Sequence, residues 1–420
     1  MPATGDVVAP ATAPVRVLHV IDGLGGGGIE RWLWDIVRLS DQESYRYQVV
    51  TVQPDETGSA YVDRLRRHGA YDPPRRSPVL SFLGRAIDSA VVRVRRNPSP
   101  SRVYPGRLLQ SYTLAFRRLI GSLHHFRPDL IHAHGFHAFA AALVVRRFSG
   151  VPLVHTVPSL FSQMVDAGFT WMPPLYARAH RWVDRFFTGA SVDELVGRGI
   201  PRTKIELTEA SVDLESVALA DAARETHAAE IRRVLALSAD ARIALSVGRL
   251  HPSKGHQLTL EALPSLLARH PALHWVVLGE GDARCSLESR SVALGVQSHV
   301  HLIGFREDPL PYYAAADVYL RTPIFEAENF SSLNAMAMGL PVVGFDTGAR
   351  TEHIPKVGHG VLVPKGDAAS LADAVSRILS SPDLGRSMGH LGAAYSRTHL
   401  DIRQSVAQFT SAYLTVATSR

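Results

Sequence analysis

The opening of the chain limits its fold most tightly. An apolar run from Val15 to Ile21 ends in Gly23, Gly25, Gly26, Gly27 and Gly28, and a stretch with Leu33, Ile36 and Val37 on one helical face follows. Short apolar run, glycines, then a 3.6-residue period spell strand, glycine loop and helix. Gln48 to Val52 reads as a second strand and Tyr61 to His68 as a helix, before a basic stretch punctuated by Pro73, Pro74 and Pro98. Order resumes with a helix over Leu108 to His125, a strand over Leu130 to His134, a helix over Ala138 to Phe148 and a strand over Leu153 to Thr156. Strands alternating with helices predict a parallel sheet.

The same grammar returns further on. Strands are expected at Ile243 to Val247, His274 to Leu278, Val300 to Ile303, Val318 to Arg321 and Val342 to Phe345, with helices at His256 to His270, Tyr312 to Ala316, Ser331 to Met338 and Ser370 to Leu379. A chain of 420 residues exceeds one ordinary core and fits two such units. The expected fold class is therefore α/β, two Rossmann-like doubly wound domains facing a central cleft. Residues 1–14 form a loose tail, 15–210 the first domain and 211–399 the second. Ligands of doubly wound sheets lie at the carboxyl ends of the strands, so the chemistry is expected in the cleft.

Composition narrows the setting. Hydrophobic residues make up 46% and charged residues 20%, as in a folded globular chain. Cys285 is the single cysteine, which removes disulfide frameworks and cysteine-based metal sites. Met1 to Pro14 lacks the basic flank and apolar core of a signal peptide, and no stretch approaches the roughly 20 apolar residues of a membrane span. A cytoplasmic location is expected. Lys204, Lys254, Lys356 and Lys365 are the only lysines, so arginine supplies most of the formal charge of +6. Between Arg64 and Arg127 the cations gather, Arg66, Arg67, Arg75, Arg76, Arg93, Arg95, Arg96, Arg117 and Arg118 against acidic Asp72 and Asp88. A solvated arginine-rich face accounts for this; the functional alternative is peripheral contact with anionic lipid at the inner face of the membrane or with an acidic acceptor, not with nucleic acid.

After strand Ile243 to Val247 comes Gly248-Arg249-Leu250-His251-Pro252-Ser253-Lys254-Gly255, which runs directly into a helix. Two cations at a strand's carboxyl end oppose the dipole of the helix that follows, and an anion between them resolves the conflict. A nucleotide diphosphate leaving group is such an anion, stabilised either by a divalent metal or by fixed Arg and Lys side chains. The chain has no Asp-x-Asp pair to hold a metal against a diphosphate. No metal and no cofactor are expected.

At this point the chain resembles the family-4 retaining glycosyltransferases (GT-B fold, glycosyl transferases group 1), from about Val15 to the C-terminus. The matches are Gly26-Gly27 with Glu30, Asp129-Leu-Ile-His-Ala-His134, the pair Arg249 and Lys254, Gly279-Glu-Gly281, Gly304-Phe305, and Ala335-Met-Ala-Met-Gly339-Leu-Pro341-Val-Val-Gly, preceded by Glu326 and followed by Gly348, Glu352 and Gly360-Val-Leu-Val-Pro364. The resemblance implies that Arg249 and Lys254 clamp the diphosphate, that Glu326 orients the donor sugar and that His134 lies near it, with His132 packed behind. It places the donor against Gly26, Gly27 and Gly248, the base near Gly279, Phe305 and Arg306, and phosphate or sugar oxygens near Glu328, Asn329, Phe330 and Ser331. The family's second glutamate is Asn334 here, which keeps a ribose contact but loses its charge; Glu328 is an alternative partner. A final helix at about Ile402 to Ala417 would cross back to complete the first domain.

Two departures mark the acceptor side and the interdomain turn: Pro158 where many relatives have His, and Ala210-Ser-Val-Asp213 where they have Asn-Gly-Val-Asp. The implied reaction is metal-free, retaining transfer of a sugar, with a uridine diphosphate donor favoured, to a hydroxyl of a surface glycan, a lipid-linked glycan or a small aglycone. A sugar-nucleotide epimerase and an inert carbohydrate-binding homologue are the rival readings.

Overall fold

The computed structural model describes residues 13–24, 28–53, 60–71, 105–157, 172–189, 192–208, 210–324, 330–347 and 353–419. Gly25, Gly26, Gly27, Pro158, Glu326, Glu328, Asn329, Gly348 and Glu352 lie outside them, as do the first twelve residues and the arginines between 72 and 104.

Six strands form the first sheet: β1 (Val15–Ile21), β2 (Tyr45–Thr51), β3 (Leu130–His134), β4 (Leu153–Thr156), β5 (Arg185–Thr188) and β6 (Ile205–Leu207). Six more form the second: β7 (Arg242–Val247), β8 (Leu273–Leu278), β9 (Val300–Gly304), β10 (Val318–Arg321), β11 (Val342–Phe345) and β12 (Gly360–Val363). The spatial orders are β2-β1-β3-β4-β5-β6 and β12-β11-β10-β7-β8-β9, and every ladder is parallel. Parallel strands are covered on both faces, which is why β3, β4, β10 and β11 are buried throughout. The order of each sheet reverses once, between β1 and β3 in the first and between β7 and β10 in the second. Crevices for ligands open at such points. Asp22 and Gly23 leave β1 at one of them and the Gly248–Gly255 loop leaves β7 at the other.

Each sheet is sandwiched between two apolar layers. In the first, Phe139, Tyr176 and Phe186 fill one face, and Trp32, Leu33, Ile36, Phe187, Phe409 and Tyr413 fill the other. Phe409 and Tyr413 belong to the last helix, Ile402–Thr418, so the C-terminal segment packs on the sheet built by the start of the chain. In the second sheet the two layers centre on Tyr313, Tyr319 and Met336 and on Leu263, Trp275 and Phe345. The sequence patterns did not single out β5, β6 or helix Pro382–His399. Two of the strands span only 4 and 3 residues, too few for a period to show.

The domains meet through side chains as well as through the chain. Arg38, on helix Gly28–Leu39, donates to Asp35 at 2.8 Å and to Asp213 at 2.7 Å. Asp213 in turn caps helix Leu214–Ala222 by accepting from the Ser216 N–H at 3.1 Å, so the departure at Ala210–Asp213 carries a cap that an arginine of helix Gly28–Leu39 also holds. Arg64 reaches Glu307 at 2.5 Å across a groove of about 900 Å3 lined by Arg31, Trp34, Asp213 and Leu310. Arg118 lies over the Tyr71 ring at 5.6 Å and donates to Thr51 Oγ1 at 3.1 Å, so part of the basic segment serves internal contacts. Among the described residues no helix is long and apolar enough to cross a membrane.

The first sheet buries a group of histidines where aliphatic side chains usually stand: His19, His132, His134 and His155. His132 lies between the Tyr413 hydroxyl at 2.6 Å and the Thr156 hydroxyl at 2.8 Å, and His19 Nδ1 meets His134 Nε2 at 2.8 Å. The ligating nitrogens of His19, His132 and His134 all lie within 4.8 Å of one another, yet both nitrogens of His132 are engaged by hydroxyls and, among the described residues, no carboxylate joins the group, so the donor set is that of a hydrogen-bond network. Burial holds all four rings neutral, pushing His19 and His155 down to about 3 and His132 and His134 well below their ordinary value.

A ring neutral in the folded state and titrating near 6.5 when unfolded contributes stability that is complete above that value and lost as pH falls below it. Each costs about 1.4 kcal/mol per pH unit. Urea unfolding of the first domain is therefore expected to weaken steeply between pH 6.5 and 5, and His19→Leu is expected to flatten the dependence by about one proton. A midpoint that stays level over that window contradicts the buried-neutral assignment.

Candidate active site

The loop after β7 is fixed by backbone packed on backbone. The Gly248 N–H donates to the Leu278 carbonyl at 2.9 Å, the Leu250 N–H to the Glu280 carbonyl at 2.8 Å, and the Ala283 N–H to the Leu250 carbonyl at 3.0 Å. These bonds zip residues 248–250 along 278–283. A Cβ on Gly279 would lie 1.9 Å from the Gly248 carbonyl oxygen, and one on Gly281 would lie 2.3 Å from that of Leu250. The two glycines of Gly279-Glu280-Gly281 thus serve the loop that carries the cations. On the other side Gly255, at φ +65°, leaves no room for a side chain because its Cβ would meet the Thr322 carbonyl oxygen at 1.9 Å.

Between these anchors stand Arg249, exposed, and Lys254, half-buried with its aliphatic stem 3.9 Å from where a Cβ on Gly248 would stand. His251 accepts from the Ser253 N–H at 3.2 Å and caps the short turn Pro252–Lys254, and the Ile324 N–H donates to the Ser253 carbonyl at 2.8 Å. Helix His256–Arg269 starts immediately afterwards, so Lys254 stands just before its positive end, with Arg249 earlier on the same loop. The adjoining His256 is buried, and desolvation, helped by the Lys254 charge, pushes it down to about 4. Positive charge is thereby concentrated on the two chosen side chains and not spread to the imidazole.

Gly304, Phe305 and Arg306 adjoin this loop through the Gly279 N–H, which donates to the Gly304 carbonyl at 2.9 Å. Phe305 is 50% exposed, and Arg306 turns back onto the Phe305 carbonyl at 3.0 Å. Glu280 pairs with Arg284 at 2.7 Å and lies against Gly304, where a Cβ would fall 2.9 Å from its Oε1. Phe330 opens helix Phe330–Ala337, whose Ser331 carbonyl accepts from the Tyr313 hydroxyl at 2.9 Å. Asn334, half-buried, lies one turn on. Phe330 points across the cleft toward Gly28 and Trp32 of the first domain.

On the first-domain side, His134 ends β3 and is 1% exposed, held by His19. The residue after it, Gly135, takes φ 91° and lies against Asp22, where a Cβ would fall 2.6 Å from the carboxylate. Asp22 follows β1 and accepts from the N–H groups of Phe136 at 3.1 Å and Ala138 at 2.6 Å, capping helix Phe136–Ser149 from a neighbouring strand. Burial nevertheless raises its carboxyl above the usual carboxylate range, against the pull of these N–H groups. Sequence reasoning passed over Asp22 and His19. The legible signals were a carboxylate placed directly before the glycine run and a polar residue inside an apolar strand.

Comparison with known proteins agrees with this architecture. Residues 27–209 match the glycosyl transferase 4-like domain, and residues 228–393 match glycosyl transferases group 1. Over 161 residues the chain is 30% identical to a lipopolysaccharide core biosynthesis glycosyltransferase of Rhizobium meliloti, a match spanning 38% of this chain and 46% of that relative, less than half its length. It is 30% identical over 304 residues to a D-inositol 3-phosphate glycosyltransferase of Salinispora arenicola, spanning 67% of each chain. The structure of HepE from Anabaena, solved in complex with UDP and glucose, superposes with a TM-score of 0.73 at 17% identity, covering 95% of this chain and 99% of that one. That likeness identifies the two-sheet architecture as the GT-B fold. With both domains matched and a 30% identical relative covered over two thirds of its length, the chain belongs to the group 1 glycosyltransferases.

Proposed function

We propose that the protein transfers a sugar from a nucleotide diphosphate donor, a uridine diphosphate sugar, to a hydroxyl of a surface or lipid-linked glycan, with retention of configuration and without a metal. The observation that carries this reading is the glycine-pinned loop that presents Arg249 and Lys254 at the start of a helix, at the reversal point of the second sheet. Such a loop neutralises a departing diphosphate with charges already in position, so little reorganisation accompanies bond breaking.

In the proposed reaction the bond from the anomeric carbon to the β-phosphate oxygen breaks while the acceptor oxygen bonds to the same face of that carbon. The acceptor's proton passes to the departing phosphate oxygen, which balances the step without a protein base. Arg249 and Lys254 stabilise the charge that develops there. Glu326 would orient the sugar and Asn334 the ribose, a neutral contact in place of a charged one. His134, neutral by burial and fixed by His19, is suited to hydrogen bonding and not to acid catalysis at neutral pH. A uridine diphosphate donor is supported by the nucleotide bound in the Anabaena neighbour, and a glycan acceptor by the lipopolysaccharide role named for the Rhizobium relative. A peripheral position at the inner membrane face accords with that acceptor and with the arginines between Arg64 and Arg127. Nucleic acid has no place in the scheme.

Removing one preorganised charge from a developing anion costs about a hundredfold in turnover or more. Lys254→Ala is expected to lose sugar transfer by that factor, and wild-type turnover is expected to persist in excess chelator. Full activity in the variant, or abolition of wild-type activity by the chelator, contradicts the metal-free clamp.

A further inference from the structure

Two helices begin tip to tip across the cleft. Gly28 is the first residue of helix Gly28–Leu39 in the first domain, and Phe330 is the first residue of helix Phe330–Ala337 in the second. The Phe330 ring lies on the bare Cα of Gly28: a Cβ there would fall 2.3 Å from Cδ2 and 2.5 Å from Cε2. No positive φ demands glycine at this position, so a side chain here would be opposed by the neighbouring ring alone, which would have to shift. Phe330 also meets Trp32 edge to face, with centroids 5.9 Å apart at 68°. Trp32 is 1% exposed and stands edge-on to Phe409 of the last helix at 5.1 Å. Phe330 therefore packs at once against the apolar layers of both domains. From the second domain's side the same helix start is tethered by the Tyr313 hydroxyl on the Ser331 carbonyl.

Both helices turn the positive end of their dipole toward this meeting point, an arrangement unfavourable by itself and favourable around an anion. A rigid apolar contact beside it would fix how closely the two ends approach.

We propose that Phe330 is a positioning residue: seated on Gly28 and Trp32, its ring sets the closed spacing of the two domains and with it the alignment of donor and acceptor. This rests on the reading that the donor diphosphate lies at the start of helix Phe330–Ala337. The ring is a spacer for closure and makes no contact that nucleotide binding to the second domain needs.

The experiment compares wild type, Gly28→Ala, Phe330→Ala and the double variant, with Phe330→Leu as a milder truncation. Three quantities are read: turnover with a uridine diphosphate sugar, affinity for UDP by calorimetry, and the radius of gyration by X-ray scattering with and without UDP. A methyl forced against the ring is expected to lower kcat about tenfold or more. UDP affinity is expected to stay within about twofold, and the compaction seen with UDP to shrink. In the Phe330→Ala background the same methyl is expected to be neutral within about twofold, because the atom it strikes is gone. The proposal is overturned if Gly28→Ala is equally harmful in both backgrounds, harmless beside the intact ring, or damaging only through lost UDP affinity. The radius of gyration without UDP reports the Gly28–Phe330 coupling even in a protein that transfers no sugar, so failure of the donor reading and failure of the spacer are told apart.

Discussion

The close approach of two backbones organises the second domain's side of the cleft. The loop after β7 and the turn after β8 run so near each other that neither Gly279 nor Gly281 tolerates a Cβ, and Gly255 is pressed as closely onto Thr322 after β10. A loop held on both sides by main chain has little freedom to rearrange when charge appears beside it. That rigidity gives Arg249 and Lys254 their value. Flexible cations would first have to lose side-chain entropy and water, whereas cations on a fixed loop at a helix start meet the anion already placed.

The first domain supplies the opposing wall by different means. Its strands end in a buried hydrogen-bond network, with His19 holding His134 and Asp22 capping the helix after β3. Neutral rings in a dry core carry no proton to give at neutral pH, so they orient instead of titrating. The last helix closes over this network through Tyr413 and Phe409, tying the C-terminus to the strands that begin the chain. Arg38 on Asp213 at the cap, Arg64 on Glu307 at the groove and Phe330 on Gly28 at the cleft then connect a basic and aromatic first domain to an acidic edge of the second. The Arg64–Glu307 pair, half-exposed, adds modest stability, whereas the Arg38–Asp213 pair is largely buried and the ring contact is apolar.

Much of the architecture was legible in the sequence because parallel strands buried on both faces are apolar runs, and glycines mark where each reverses into a helix. The alternation from Val15 to Thr156 and from Ile243 to Phe345 therefore gave the two doubly wound sheets, including the loop that carries the cations. What escaped was short or non-local. β5 and β6 have too few residues to show a period. The capping of one helix by Asp22 of another strand depends on contacts 114 and 116 positions apart. The role of Gly279 and Gly281 could not be read from their spacing, since a glycine suits a nucleobase contact and a backbone contact equally. Phe330 resembled a donor contact by its place in the motif; only the folded chain shows its ring across the cleft on Gly28.

The role of Arg249 and Lys254 stands or falls on where the diphosphate lies. A crystal structure of the full chain with UDP is the most direct measurement. It should show the pyrophosphate oxygens within about 3 Å of the Arg249 guanidinium and the Lys254 ammonium, the distance of a charge-assisted hydrogen bond. UDP bound with both side chains turned to bulk solvent, or seated away from the Gly248–Gly255 loop, would contradict it.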